Sequence, residues 1–145
     1  PRGRCWRAHG APAGTEGCAE GECGACCVAL VDCDHKGHPC DRSINSCLVP
    51  LPLMAGRDVV TVEGVTGDRL HPVQQAMVEN HGSQCGYCTP GMLTAAQDLL
   101  RGGQVPSRDE IREHISGNYC RCPGYHASVD AVATVAKSRE GASQG

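Results

Sequence analysis

Twelve of the 145 residues are cysteine, and eight of them fall into two tight groups, one in each half of the chain. No other feature constrains the fold as much. The first group is Cys18, Cys23 and Cys26, interleaved with Gly17, Gly21 and Gly24 and followed by Cys40 and Cys47. The second pairs Cys85 and Cys88 with Cys120 and Cys122. Cysteine at this density marks a disulfide scaffold or a metal protein. The only aromatic residues are Trp6, Tyr87, Tyr119 and Tyr125, with no Phe, so the side chains that bury most area are nearly missing. Small cores of this kind need cross-links or metals to become stable.

No secretory signal is visible and no apolar run reaches transmembrane length. A reducing, cytoplasmic setting is therefore expected, and there clustered cysteines act as metal ligands. The net charge is -3 with Lys and Arg scattered, which argues against nucleic acid as a partner. A membrane span is not expected.

The chain changes period near Gly64–His71. Before it, the pattern is Gly-rich and β-biased. Residues 1–17 read as irregular or disordered. Strands are expected at Val28–Val31, at Ile44–Leu53 (breaking early at Pro50 and Pro52) and at Val59–Glu63, with a turn between Asp32 and Arg42. After it, four short helices are expected. Pro72 suits a first helical turn, with Val73, Ala76, Met77 and Asn80 on one face. Thr89 before Pro90 reads as an N-cap, leading a stripe of Met92, Leu93, Ala96, Leu99 and Leu100 that Gly102 and Gly103 stop. Ser107 with Glu110 forms a capping box for a helix through Ile111 and Ile115. Val129, Val132, Ala133 and Ala136 mark the last helix.

The first cysteine group has the C-x4-C-x2-C spacing of plant-type [2Fe–2S] ferredoxins. Such a cluster is an anion, so the loop around it must aim backbone N–H groups at sulfur, and the glycines allow the required angles. By spacing, Cys40 and Cys47 compete for the fourth place. In the second group a CxxC pair alone is common to zinc, redox and iron–sulfur sites, but the CxC pair is closer than zinc-ribbon pairs usually are. Cys88-Thr89-Pro90 and Cys122-Pro123 would put both pairs at helix N-termini, where free N–H groups favour a negative cluster. Four thiolates there are enough for a second [2Fe–2S] centre.

Both constellations, in this order, resemble the iron–sulfur subunit or domain of the molybdenum hydroxylases, a family that includes xanthine dehydrogenase, aldehyde oxidoreductase and aerobic carbon monoxide dehydrogenase. The matching stretches are Gly17-Cys18-Ala-Glu-Gly-Glu-Cys23-Gly-Ala-Cys26, Asn45-Ser-Cys47-Leu48, the run from His71 to Gly91 around Cys85-Gly-Tyr-Cys88, and Gly117-Asn-Tyr-Cys120-Arg-Cys122-Pro-Gly-Tyr125. The resemblance implies an α+β chain: a β-grasp ferredoxin-like domain at residues 18–66, then a four-helix domain at 67–137 and a tail at 138–145. It implies Cys18, Cys23, Cys26 and Cys47 as ligands of one [2Fe–2S] cluster, and Cys85, Cys88, Cys120 and Cys122 as ligands of another. It places Cys122 and Gln84 near a molybdenum-pterin cofactor on a large partner subunit, with electrons passing on towards FAD, expected on a medium subunit because the chain stops soon after its fourth helix. The family has two strands before its first cysteine, a hairpin that residues 1–17 cannot supply, and Thr where Cys27 and Pro123 stand.

Cys5, Cys27, Cys33 and Cys40 are then left as small apolar residues. The histidines show no metal-ligand grouping; His71 is expected to help start a helix. Two other function classes remain to weigh: a free-standing ferredoxin-like redox carrier, which would need only one cluster and no helical half, and a zinc-stabilised interaction domain.

Overall fold

The computed structural model describes residues 14–33, 36–37, 40, 42–66, 68–122 and 124–142. Most of the irregular start expected at residues 1–17, including the question of a hairpin, and the role expected of Pro123 lie outside the described residues. Residues 14–17 are neither strand nor helix.

Three strands, β1 (Cys27–Val31), β2 (Arg42–Asn45) and β3 (Asp58–Val60), form an antiparallel sheet in the order β2-β1-β3. The register pairs Cys27 with Asn45, Ala29 with Ser43, and Ala29 with Val60 on the other side. Cys26 lies in the turn just before β1, and Cys27 is the strand's first residue. β2 ends at Asn45, well short of Leu53. Pro50 and Pro52 cannot donate to a ladder, and the chain makes a short 3-10 helix at Leu51–Met54 instead.

Four helices follow: α1 (Pro72–Glu79), α2 (Thr89–Arg101), α3 (Arg108–Ile115) and α4 (Tyr125–Ala142). Their apolar faces meet in one cluster that includes Val73, Met77, Leu93, Leu100, Ile111, Ile115, Val129 and Val132. Expectation and outcome differ at two ends. Thr89 is the first residue of α2, not its cap. Cys88 holds the cap position without a side-chain bond, and the Thr89 hydroxyl meets that of Ser83 at 2.8 Å. Asn80 lies past the end of α1, where its carboxamide donates to the Ala76 carbonyl at 2.9 Å. At the far end of α2, Arg139 of α4 donates to the Leu100 carbonyl at 2.7 Å, satisfying one of the carbonyls a helix end leaves open.

α2 also lies across the sheet. The Ser43 hydroxyl donates to the Thr94 carbonyl at 3.4 Å, and the Ser43 N–H to the Asp98 carboxylate at 3.2 Å. The Cys27 thiol sits in this seam; burial pushes it up to about 11, against a hydrogen bond with Ser43. The two halves therefore share an interface built on α2, the helix that Cys88 opens.

The start of α1 is held by a small network. His71 Nδ1 accepts the Val73 N–H at 3.3 Å, and Gln74 Oε1 accepts the His71 N–H at 2.8 Å. Gln74 also donates to the Thr66 hydroxyl and the Val62 carbonyl, which ties the helix to the segment after β3.

Ile111 is fully buried and Leu53 is 61% exposed. Ile111→Ala should cost about 2–5 kcal/mol in denaturant unfolding, whereas Leu53→Ala should stay within about 0.5 kcal/mol; equal effects would contradict this account of the core. The cap carries a pH signature. Burial, then the charge of Arg139, holds His71 below its ordinary value, and a protonated Nδ1 cannot accept a hydrogen bond. The folded chain binds fewer protons here than the unfolded one, so this contribution is present above about pH 6.5 and is lost as pH falls below it. Unfolding free energy measured across that range should fall less steeply in His71→Asn, which keeps a capping oxygen.

Candidate metal centres

The loop at 17–26 turns repeatedly through left-handed backbone: φ is 59° at Ala19, 83° at Gly21 and 65° at Gly24. This turns N–H groups inward. The N–H groups of Glu20 and Cys23 both donate to Cys18 Sγ at 3.4 Å, and the Cys18 N–H donates to Cys23 Sγ at 3.4 Å. The bond from Glu20, then that from Cys23, brings the Cys18 thiol down to about 7. Free N–H groups aimed at sulfur stabilise thiolate and any anion built on it. Two glycines have no freedom to change. A Cβ on Gly17 would lie 2.7 Å from Cys23 Sγ, and one on Gly21 would run into Leu48. Asn45 pins the loop to β2 by donating to the Gly21 carbonyl at 2.7 Å.

Cys47 arrives from the turn after β2. Burial pushes its thiol up to about 11, and the Cys26 thiol beside it, hydrogen-bonded to it, adds to that shift. Cys18 also acts on it electrostatically, so Cys18, Cys23, Cys26 and Cys47 share one neighbourhood. Cys40 sits elsewhere: its N–H bonds the Asp32 carbonyl at 2.8 Å, in the excursion between β1 and β2.

The second set assembles across the helical half. Burial, then the adjacent Cys120 thiol, pushes Cys88 up to about 12. Cys85 is lowered by the Tyr87 N–H first and by the Cys122 thiol second. Cys122 in turn receives the Cys85 N–H, which lowers it, but the Cys85 thiol and burial leave it raised on balance. The Cys120 thiol donates to the Cys122 carbonyl at 3.2 Å. The Tyr125 hydroxyl fixes this loop, accepting the Cys120 N–H at 2.7 Å and donating to the Asn118 carbonyl at 3.0 Å. Gln84 is exposed beside Cys85.

A cavity of about 430 Å³ runs between the sets, lined by Cys18 and Cys23 on one side and by Cys85, Cys88 and Cys120 on the other, with Tyr87 and Tyr119. Tyr87 joins the two halves. Its hydroxyl donates to the Glu16 carbonyl at 2.6 Å, and its carbonyl accepts the Thr15 hydroxyl at 2.8 Å. Among the described residues, no three His, Cys, Asp or Glu side chains close on one point as ligands of a single ion. The donor set is two rings of four soft sulfurs. Clustered soft sulfurs with N–H groups on their flanks fit a cationic iron core that would bind them as thiolates. Nothing in the local spacing singles out Thr15, Asn118 or Tyr125. Thr15 and Asn118 join positions far apart in the chain, and Tyr125 acts by folding its hydroxyl back onto the backbone of its own loop.

A family profile described as a [2Fe-2S] binding domain matches residues 61–133. The chain is 44% identical over 140 residues to xanthine dehydrogenase from Blastobotrys adeninivorans, covering 93% of this chain and 10% of that one. Among solved structures it is similar to quinoline 2-oxidoreductase from Pseudomonas putida 86 (TM-score 0.82, 36% identity, 99% of this chain and 83% of that one). It is similar also to aldehyde oxidoreductase from Desulfovibrio gigas (TM-score 0.83, 34% identity, 97% of this chain and 15% of that one). The chain spans about a tenth of the length of the curated relatives it matches. In the solved relatives a ferredoxin-like domain precedes a helical part, as the small sheet and four helices do here. The chain therefore belongs to the [2Fe–2S]-binding iron–sulfur domains of the molybdenum hydroxylase family.

Proposed function

We propose that this chain is the electron-transfer part of a molybdenum-cofactor hydroxylase or dehydrogenase. It would hold one [2Fe–2S] cluster on Cys18, Cys23, Cys26 and Cys47 within residues 18–66, and a second on Cys85, Cys88, Cys120 and Cys122 within residues 67–137. The observation that carries this reading is the grouping of the thiols: through the folded chain each set of four interacts within itself. Each cluster, when bound, accepts or releases a single electron without making a bond. The protein's part is electrostatic and positional. The N–H groups of Glu20, Cys23 and Tyr87 face the sulfurs and favour negative charge there. Tyr87 and Thr15 tie the two halves together across the seam between the sets.

Direction follows from exposure and family position. Cys85 and Gln84 lie at the surface, with Cys122 against Cys85, and we assign this face to the pterin of a molybdenum-binding large subunit. Electrons would leave from the first set towards FAD on a medium subunit, or towards another acceptor. Substrate chemistry belongs to the large subunit, and a cytoplasmic location fits the free thiols. No helix of the described residues is long and apolar enough to cross a membrane.

Two measurements test the proposal. The reconstituted chain should carry about four iron and four acid-labile sulfide; zinc in their place, or about two iron in the folded chain, would overturn it. The dithionite-reduced protein should show two EPR signals. Cys122→Ser replaces a soft thiolate with a hard hydroxyl that ionises poorly, so one signal should vanish while the other persists. Cys40→Ser should leave both. Loss of a signal in Cys40→Ser with both kept in Cys122→Ser would show the ligands to be wrongly assigned in both sets.

A further inference from the structure

Asn118 holds no sulfur, yet it is where the two cysteine loops meet. It is 4% exposed and stands two residues before Cys120. Its Nδ2 donates to the Gly24 carbonyl at 2.9 Å, inside protein. Beside it the Tyr119 N–H donates to the Cys23 carbonyl at 2.8 Å. The backbone of Asn118 is engaged on the helical side: its N–H donates to the Ile115 carbonyl at 2.9 Å, and its carbonyl accepts the Tyr125 hydroxyl. The third wall is Gly91, in the first turn of α2 after Cys88. A Cβ there would collide with the Gly24 carbonyl and with Asn118 Nδ2. Gly24 itself has φ of 65°, and a Cβ on it would meet Asn118 and the Gly117 carbonyl. The segments bearing Cys23, Cys88 and Cys120 are thus pressed together around one carboxamide, with no side chain between them.

We propose that Asn118 is a positioning residue for electron transfer, clamping the Cys120 loop onto the Cys23–Cys26 loop and so setting the separation of the two centres; this rests on the two-cluster reading above. The clamp holds a short bonded route from Cys23 through its carbonyl, across the single hydrogen bond to the Tyr119 N–H, and along the chain to Cys120. One electron crosses, lost by one centre and gained by the other, and no bond is made and no proton moves. The Gly24 carbonyl already accepts the Cys27 N–H of its own loop at 3.0 Å, so the bond from Asn118 is a second one, and it is the side-chain link that ties this loop to the other. A rigid junction is needed because loops free to part would stretch the route.

The test uses the full chain reconstituted with iron and sulfide, as wild type, Asn118→Leu (similar in size, without a donor) and Asn118→Ser (a shorter donor). The readout is the magnetic interaction between the two reduced centres, seen at low temperature as splitting or broadening of their EPR signals, which depends steeply on separation. Wild type should show the interaction. Asn118→Leu should keep iron, sulfide and the g-values of both signals, with the interaction narrowed or lost; Asn118→Ser should fall between. An interaction unchanged in Asn118→Leu at full iron content would overturn the proposal. So would loss of one cluster's iron in both variants, because Asn118 would then serve to hold a cluster and not to space the pair. Failure of the underlying reading looks different: wild type itself would lack a second iron–sulfur signal.

Discussion

Four thiols gathered at one site repel one another as soon as they ionise, and the rest of this chain is arranged around that constraint. In each set the neighbouring thiols pull one another's ionisation apart, and Cys18 and Cys85 are lowered while their neighbours Cys47 and Cys88 are raised. Cys47 is pushed up to about 11 beside Cys26, and Cys88 up to about 12 beside Cys120. The relief offered by the protein itself is a supply of backbone N–H groups, and those require unusual φ angles at Ala19, Gly21, Gly24 and Gly86. A loop bent that way has little side-chain mass of its own. It must be held from outside, and Asn45, Thr15, Tyr87 and Tyr125 do so with one or two hydrogen bonds each.

This explains why a chain with so few aromatics can be ordered. The helical core is built from Val, Ile, Leu, Met and Ala, and the sheet is only three short strands. Neither half covers itself, so α2 serves both, carrying the apolar stripe on one side and the contacts to Ser43 on the other. The helix that organises the bundle is the one Cys88 opens, so the second cysteine set is braced by the core directly. The first set is braced through the seam.

Local signals were legible where the physics is local. Ser107 and Glu110 cap α3 as their spacing predicts, each bonding the other's backbone. Val73, Ala76 and Met77 share a buried face, as do Val129, Val132 and Ala136. The errors fell at element ends. Thr89 looked like a cap because Thr-Pro usually is one, but the Cys85-Gly-Tyr-Cys88 turn places a cysteine at that position. β2 stopped early because two prolines removed its donors. Asn80 matched the helical period yet lies beyond the end of α1.

The order and spacing of the cysteines, readable in the chain alone, determined the two groups and the family they resemble, because ligand spacing within a loop is a local property. Tertiary structure decided which thiols meet across loops, bringing Cys47 to Cys26 and Cys120 to Cys88 while leaving Cys40 aside in the β1–β2 excursion. It also decided that the two sets lie against one another, through Asn118, Gly24 and Gly91. Those residues lie in three separate stretches, each part of the family resemblance, and no periodicity in the chain says that they meet. Their relation exists only once packing brings three backbones close enough that a single Cβ would not fit.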